Sequence, residues 1–334
     1  MTGSRDCVLL LADIGATNAR FAIAKNKLLG PVKNLKVADY PNFMAALDAY
    51  FRQACSEQPI DRVMVAVAGP GNNRRAKLTN ADWIIDSEEI EIGLGAQTVL
   101  VNDFEAVAYS VPSLTAQADL EPIGSGSPEP GAPLAVLGPG TGLGVACLIS
   151  KRGEPLVMAS EGGHATLAGS CEREDAIIQQ LRLRFGHASA ERAISGHGLE
   201  NLFAAIAEID GKQHLPLSAA EITENALTGK CQHCRDSLET FCAFLGSFAG
   251  NAALTFRATG GVYIGGGISP RIVEFMRKSK FRQSFEAKGR FSHYLRSIPC
   301  FVISHPAAAF LGLMSITGGV GGRRTDKMSS PGAS

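Results

Sequence analysis

The chain has 334 residues, of which 45 % are hydrophobic and 19 % charged, and its 32 Lys and Arg balance 32 Asp and Glu. This length predicts about two domains with sizeable cores. A chain of zero net charge has no electrostatic attraction to nucleic acid or anionic lipid, so the composition favours work on small molecules.

The N-terminal segment carries little positive charge, and the short apolar run after it contains Asp13. We therefore expect neither a signal peptide nor a membrane span. Eight cysteines are scattered along the chain, and Cys231 and Cys234 form the one close pair. No second pair completes the four ligands of a structural zinc site, so free thiols in a reducing, cytoplasmic compartment are favoured over a metal. The Gly-, Ser- and Arg-rich segment 318–334 is expected to be disordered.

Apolar runs predict strands in the first part of the chain, at 7–12, 20–25, 62–68 and 97–101. The first two are expected to form a hairpin across a Gly/Asn turn. Apolar residues at helical spacing predict a helix over about 42–54. Residues 116–133 are rich in Gly, Ser and Pro, which predicts a surface loop near a domain boundary.

The strand–turn–strand pattern returns after this loop, with strands predicted on both sides of the turn that contains Gly140. LLLADIGATNARFAIA and AVLGPGTGLGVACLI align Gly15 with Gly140, which indicates a weak internal repeat and two domains of related topology. Chance similarity is the alternative explanation, because the matching segment is short.

Helices are predicted over 189–208 and 238–256. Gly246 and Gly250 are unfavourable inside an isolated helix, so we expect a close packing contact on that face. A strand over 261–264 leads into three glycines and a further helix with Pro270 near its start.

Two glycine turns are candidate phosphate-binding sites. The first runs from Asp13 to Asn18 between two strands, where backbone N–H groups form a nest for phosphate oxygens and Asp13 could hold Mg²⁺ directly or through water. The second contains Gly140, Thr141 and Gly142. The second turn opens a strand and not a helix, so it is neither a P-loop nor a dinucleotide fingerprint. Each turn alone is compatible with an ordinary hairpin, whereas two turns facing each other could hold a triphosphate.

The third glycine segment, Gly265 to Gly267, follows a strand and precedes a helix, and could admit a nucleoside. A close strand–helix turn is an equal alternative there. Asp103 follows an apolar strand, where its carboxylate could act as a base toward a sugar hydroxyl. It could instead cap the next helix, although Asn102 can also do so.

Carboxylates and a histidine mark a possible sugar site. Glu161 and His164 lie in a polar, glycine-opened loop, and Glu191 follows further on. His164 taken alone could be a buried core histidine.

Taken in order, these segments resemble the bacterial glucokinase family of the hexokinase–actin–Hsp70 superfamily over about residues 7–316. The matching motifs are ADIGATNAR, LTNADW, VNDF, GPGTGLGVA, SEGGHA, SAERAISGHGL, CRDSLETFC and GGVYIGGGISPR. The first turn reads GAT where many relatives have GGT, so either Ala16 fits the backbone there or the turn shifts. The zinc motif of the related repressor/kinase group is missing.

The resemblance implies an α/β, two-domain actin-like ATPase (ribonuclease H-like) fold with an interdomain cleft. The expected small domain spans 1–113 and about 304–320, the large domain spans 114–303, and 321–334 form the tail. The resemblance also implies a cytoplasmic homodimer that uses ATP and Mg²⁺ to phosphorylate glucose at its 6-hydroxyl, without nucleic acid or membrane partners.

Site residues carried over from the resemblance fall into three groups. Asp103 would be the catalytic base. The sugar would contact Asn80, Asn102, Asp103, Glu161, His164 and Glu191. ATP would contact Ala12, Asp13, Ile14, Gly15, Ala16, Thr17, Asn18, Gly140, Thr141, Gly142, Gly265 and Gly266. Asp13 would also bind Mg²⁺, directly or through water.

Three alternatives stay open from the sequence. One is a kinase of another hexose or an N-acetylated sugar. Another is a non-catalytic sugar sensor of the same fold, which would normally need a DNA-binding module, and the first strand begins too early to leave room for one. The third is a filament-forming or chaperone ATPase. Such a protein would hydrolyse ATP without a sugar, and the EGGH segment would then have no function.

Overall fold

Two mixed β-sheets organise the chain in a computed structural model, which describes residues 7–54, 59–69, 74–78, 82–116, 118–151, 153–213 and 215–316. The first sheet has the strand order β3-β2-β1-β5-β8, with β4 also paired to β2. Its strands are β1 (Val8–Ile14), β2 (Asn18–Lys25), β3 (Leu28–Leu29), β4 (Lys33–Lys36), β5 (Arg62–Val67) and β8 (Gln97–Asn102). Strands β1 and β2 form the expected antiparallel hairpin, and β5 and β8 extend the sheet in parallel.

The first sheet carries helices because its central strands are apolar on both faces. Every residue of β1 except Asp13 is buried. Helix α1 (Phe43–Ala54) packs through Phe43, Leu47 and Tyr50 on one side, confirming the predicted helix. A small ribbon of β6 (Arg75–Lys77) and β7 (Ile84–Asp86) precedes helix α2 (Ser87–Leu94).

The second sheet has the order β12-β11-β10-β13-β14-β9. Its strands are β9 (Leu120–Pro122), β10 (Leu134–Pro139), β11 (Leu143–Lys151), β12 (Glu154–Ser160), β13 (Val262–Ile264) and β14 (Cys300–Ile303). Strands β10 and β11 form a hairpin, and β13 and β14 continue in parallel from β10. Both sheets thus share one plan, an antiparallel set of three strands followed by two parallel ones, which agrees with the internal repeat.

Helices cover the second sheet and supply most of the larger core. They are α4 (Glu172–Phe185), α5 (Gly196–Ile209), α6 (Ala219–Leu227), α7 (Gln232–Phe256), α8 (Val273–Lys278), α9 (Phe281–Glu286) and α10 (Ser292–Ser297). In α7, a Cβ added at Gly246 would lie 2.0 Å from the carbonyl oxygen of Phe281, and one at Gly250 would lie 2.5 Å from that of Phe285. The predicted close packing on this face is therefore the contact between α7 and α9.

Helix α3 (Asp103–Ser110) lies between the two sheets. On one side Ala106 packs with β1, β5 and helix α11 (Ala308–Ile316), and on the other Ala108 packs with β10 and β11. A Cβ at Gly312 of α11 would lie 1.7 Å from the carbonyl oxygen of Ala106, so the two helices touch through their backbones. The residue that begins α3 therefore stands where the two sheets meet.

Several predicted elements were wrong in their bounds, among them the helix expected over 238–256, which begins six residues earlier, at Gln232. The expected loop 116–133 contains β9, which pairs with the edge strand β14 because apolar Leu120 faces the core there. The expected helix 189–208 begins only at Gly196, after a 3₁₀ turn over Ala190–Arg192, because the Ser195 hydroxyl caps the helix by accepting from the Gly198 N–H. The domain bounds stay a prediction, and the segment 317–334 lies outside the described residues.

Candidate functional site

Asp103 begins α3 directly after strand β8, and its neighbour performs the helix capping. The side-chain oxygen of Asn102 accepts from the N–H groups of Phe104 at 2.9 Å and of Glu105 at 3.1 Å. Because Asn102 satisfies the first N–H groups of the helix, the Asp103 carboxylate is not required as its cap. Asp103 also accepts from the Phe104 N–H at 2.8 Å.

The electrostatic surroundings of Asp103 favour its protonated form. Burial, and then the negative charge of nearby Asp13, raise the pKa of the Asp103 carboxyl from 3.8 to about 6, although backbone N–H donors oppose the shift. A carboxylate whose pKa lies this close to neutrality is a stronger base than an ordinary aspartate and is still ionised at neutral pH. Asp13 belongs to the first glycine turn, so the structure brings Asp103 close to that turn.

The first turn is held by backbone and by an ion pair. The Gly15 N–H donates to the carbonyl oxygen of Asn18 at 2.9 Å. Asp13 pairs across the hairpin with Arg20, whose Nε donates at 3.0 Å and whose terminal nitrogen donates to the same carboxylate oxygen. Ala16 is not among the described residues with positive φ, so the methyl group that departs from GGT causes no backbone strain.

The second turn closes the β10–β11 hairpin and contacts Glu191. The Gly140 N–H donates to the Gly142 carbonyl at 2.9 Å. The Leu143 N–H donates to Glu191 Oε2 at 3.0 Å, and a Cβ at Gly142 would lie 2.6 Å from that oxygen. The missing side chain at Gly142 therefore lets Glu191 approach the turn.

Two other glycines of the same hairpin contact a side chain of helix α3. Gly138 and Gly144 are paired in register across the β10–β11 hairpin, and together they make room for the ring of Phe104. A Cβ at Gly138 would lie 2.2 Å from that ring, and one at Gly144 would lie 2.4 Å from it. The residue next to Asp103 is thus seated on the second hairpin, which fixes α3 against it.

The third glycine segment packs on the same hairpin. The Gly265 N–H donates to the Leu137 carbonyl at 2.7 Å. Gly266 has φ +82°, and a Cβ there would lie 2.3 Å from the Pro139 carbonyl oxygen. Only glycine suits both the positive φ and this approach.

A cavity of about 600 Å³ opens beside the third turn. Gly267 and Arg271 line one side, and helices α5 and α6 line the other through Leu199, Ala219, Ala220, Thr223, Glu224, Leu227 and Thr228. Sequence reasoning missed the α6 residues. The S-x-x-E signal of Ser218 and Glu221, which forms a complete capping box, could have found this helix.

The predicted sugar residues come together beside the second turn. His164 Nε2 lies 3.8 Å from Glu161 Oε2, and His164 Nδ1 lies 4.0 Å from Glu191 Oε1. The His164 side chain is 60 % exposed, which excludes the core-histidine alternative. Their loop rests on the hairpin, since a Cβ at Gly163 would lie 2.2 Å from the Leu143 carbonyl oxygen. Asn80 lies outside the described residues.

Structural comparison defines the class of protein. A crystal structure of glucokinase from an Antarctic psychrotroph superposes with a TM-score of 0.82 at 33 % identity, covering 92 % of this chain and 98 % of that one. A glucokinase from Balamuthia mandrillaris in complex with glucose superposes with a TM-score of 0.78 at 20 % identity, covering 95 % and 94 % of the two chains, and shares the fold. The chain is a sugar kinase of the two-domain actin-like ATPase fold.

Sequence comparison gives the family. The family model described as Glucokinase matches residues 10–318. The glucokinase of Nitrobacter hamburgensis is 42 % identical over 95 % of this chain and 99 % of its own length. The glucokinase of Paramagnetospirillum magneticum is 44 % identical over 92 % of this chain and 97 % of its own. The chain belongs to the glucokinase family.

Proposed function

We propose that this protein transfers the γ-phosphoryl group of ATP to the 6-hydroxyl of D-glucose, with Asp103 as general base. The observation that carries the proposal is the convergence on the β10–β11 hairpin. Phe104, Glu191 and the loop of His164 all contact it, and Asp103 lies within the electrostatic reach of Asp13 in the opposite turn.

Glucose recognition is assigned to the polar groups at one end of this hairpin. Asn102 is exposed beside Asp103, and Glu161, His164 and Glu191 form a neighbouring cluster. Carboxylate, amide and imidazole groups of this kind can each bond one or two sugar hydroxyls. Leu143 N–H holds Glu191 on the second turn, so the sugar and phosphate sites share one support.

ATP is assigned to the glycine turns and the cavity. The turns at 12–18 and 140–142 would hold the phosphates, and the cavity of about 600 Å³, which Gly267 lines directly after Gly265 and Gly266, would hold the nucleoside. Volumes of this size are typical of small-molecule sites. A glucokinase from Streptomyces griseus in complex with glucose and AMPPNP has the same fold, with a TM-score of 0.61 at 18 % identity.

The donor set fits Mg²⁺ that is held mainly by phosphate and water. Among the described residues no three His, Cys, Asp or Glu side chains form a cation cage, and one oxygen of Asp13 already pairs with Arg20. Mg²⁺ commonly keeps several waters and needs only one or two protein carboxylates. Asp13 would hold the ion through water, and the bound ion would neutralise phosphate charge.

The chain's own groups then carry out the transfer. Asp103 accepts the proton of the 6-hydroxyl as that oxygen attacks the γ-phosphorus, and the bond to the β,γ-bridging oxygen breaks to release ADP. Backbone N–H groups of the two turns stabilise the phosphate oxygens. Closure of the two domains would exclude water, which otherwise competes as phosphoryl acceptor.

An ADP-coupled assay with glucose, mannose, fructose and N-acetylglucosamine tests the substrate. We expect glucose to give the highest kcat/KM. A higher value for another sugar would reassign the substrate within the same site, and ADP release that is independent of any sugar would contradict the kinase assignment.

We also propose that the protein is a cytoplasmic homodimer. Among the described residues no helix has both the length and the apolarity to cross a bilayer. Strand β12 lies at a sheet edge and exposes 48 % of Met158, which would suit a contact between copies. Light scattering after size exclusion should give twice the chain mass of 35.1 kDa.

A further inference from the structure

A cysteine pair at the start of α7 lies outside the proposed active site. Cys231 is the residue before the helix, with φ −140° and ψ 112°, and Cys234 lies in the first turn. The N–H of Cys234 donates to the sulfur of Cys231 at 3.3 Å. A thiol that caps a helix in this way lies over the positive end of the helix dipole.

The two thiols are chemically different. Cys231 is partly exposed, whereas Cys234 is buried. Burial opposes ionisation of Cys231, but hydrogen bonds from the Cys234 thiol and from backbone N–H groups outweigh it and lower the pKa of the Cys231 thiol. Burial, followed by the hydrogen bond and charge of Cys231, raises the pKa of Cys234. Nearby Asp236 slightly opposes ionisation of Cys231. One partly exposed, more acidic thiol thus lies beside a buried one.

The spacing suits a disulfide. Helical residues three apart have Cβ atoms about 5–6 Å apart, and a disulfide needs roughly 3.5–4.5 Å. Cys231 has extended backbone and lies just before the helix, so closing this gap moves only the residue at the helix start and disturbs at most the hydrogen bond from the Arg235 N–H to the Cys231 carbonyl oxygen at 3.1 Å. The Cys234 N–H already donates to the Cys231 sulfur at 3.3 Å, so that sulfur lies over the first turn, which carries Cys234.

We propose that Cys231 and Cys234 form a thiol–disulfide exchange site that reacts with low-molecular-weight disulfides. The Cys231 thiolate attacks one sulfur of the disulfide, forms a mixed disulfide and releases one thiolate. Cys234 then loses its proton to solvent and attacks the Cys231 sulfur, which releases the second thiolate. The protein dithiol is oxidised to one disulfide while the small disulfide is reduced to two thiols.

The pair lies beside the cavity assigned to the nucleoside. Leu227 and Thr228 line that cavity, and the chain reaches Cys231 three residues later. The Cys231 N–H donates to the carbonyl oxygen of Asn225 in α6 at 3.4 Å. The covalent state of the pair therefore changes the turn that joins α6, one wall of the cavity, to α7.

Mass spectrometry of the full chain tests the proposal without an activity measurement. The reduced protein is equilibrated with buffers of reduced and oxidised glutathione, quenched in acid, blocked with N-ethylmaleimide and digested with trypsin. Cleavage after Lys230 and Arg235 yields one peptide that contains both cysteines. As the oxidised fraction rises, we expect this peptide to lose both maleimide groups together and to regain them after dithiothreitol.

Variants resolve the order of the two steps. Cys234→Ser should trap glutathione on Cys231, whereas Cys231→Ser should leave buried Cys234 reduced. Cys171 is the matched control, because it also precedes a helix but is exposed and makes no cap hydrogen bond, so Cys171→Ser should leave the linkage unchanged. The proposal is overturned if the folded protein keeps both thiols reduced in fully oxidising buffer, or if only Cys7 and Cys171 acquire glutathione.

Discussion

Replacing Gly144 by alanine tests how Asp103 is held. The new Cβ would lie 2.4 Å from Cγ of Phe104, the ring atom nearest the backbone. Rotation about χ2 leaves that atom in place, and rotation about χ1 would take the ring out of the space between Gly138 and Gly144, so keeping the ring there requires a shift of α3 or of the β10–β11 hairpin. The shift would displace Asp103, which directly precedes Phe104 in the chain.

The expected cost follows from overpacking. Forcing an extra methyl into a packed site typically costs about 1–3 kcal/mol. The gain from a stiffer unfolded chain at a glycine-to-alanine change is smaller, about 0.4–1 kcal/mol. We therefore expect a net loss of roughly 1–2 kcal/mol in the free energy of unfolding, together with a lower kcat caused by the displaced base.

Urea denaturation and steady-state kinetics measure the two effects. Gly140→Ala is the matched control, because no atom lies within 4 Å of a Cβ placed there and Gly140 has no positive φ. The control should keep its stability, and any change should fall on the KM for ATP. If Gly144→Ala matches the parent in both stability and kcat, the seating of Phe104 does not position the base.

Two further predictions concern stability. Gly246→Ala should lower the urea midpoint, because a Cβ 2.0 Å from the Phe281 carbonyl outweighs about 1 kcal/mol of helix propensity, whereas Gly93→Ala meets only the flexible end of Met44 and should not lower it. Asp103→Asn should stabilise the protein above pH 6 by up to about 3 kcal/mol, since a pKa raised from 3.8 to about 6 penalises the folded carboxylate. Folding favours the protonated carboxyl, so the stability advantage of Asp103→Asn should vanish near pH 4. Urea titrations of variant and parent near pH 4 and above pH 6 measure it, and a stability difference that is the same at the two pH values would contradict this reasoning.

Local patterns predicted much of the fold. The hairpins, the strands at 62–68 and 97–101 and the helices α1 and α7 follow from apolar periodicity and turn residues, which act over short stretches of sequence, whereas the parallel pairing of those strands is seen only in the structure. Strand β9 was missed because three residues in a Gly/Pro-rich segment carry almost no periodic signal, and only pairing with β14 makes them a strand.

For the candidate site, the sequence allowed a choice of residues but not of the contacts that hold them, and the roles of these residues stay predictions. Glu161, His164 and Glu191 could be chosen from their chemistry and from family resemblance, and the structure brings them together. The use of Gly138 and Gly144 to seat Phe104 could not be predicted, because a glycine in a sequence does not show which side chain fills its space. The capping box of Ser218 and Glu221 could have indicated helix α6, but its place in the cavity wall could not be predicted, because that wall forms only when distant segments pack.

The turnover of Asp103→Asn with glucose and ATP tests the central claim most directly. The amide keeps the shape of the carboxyl but cannot accept the proton, so we predict a fall in kcat of about 10²–10⁴-fold. Glucose binding, measured by calorimetry, should persist because the neighbouring sugar contacts remain. A variant that turns over at nearly the parental rate would contradict the account.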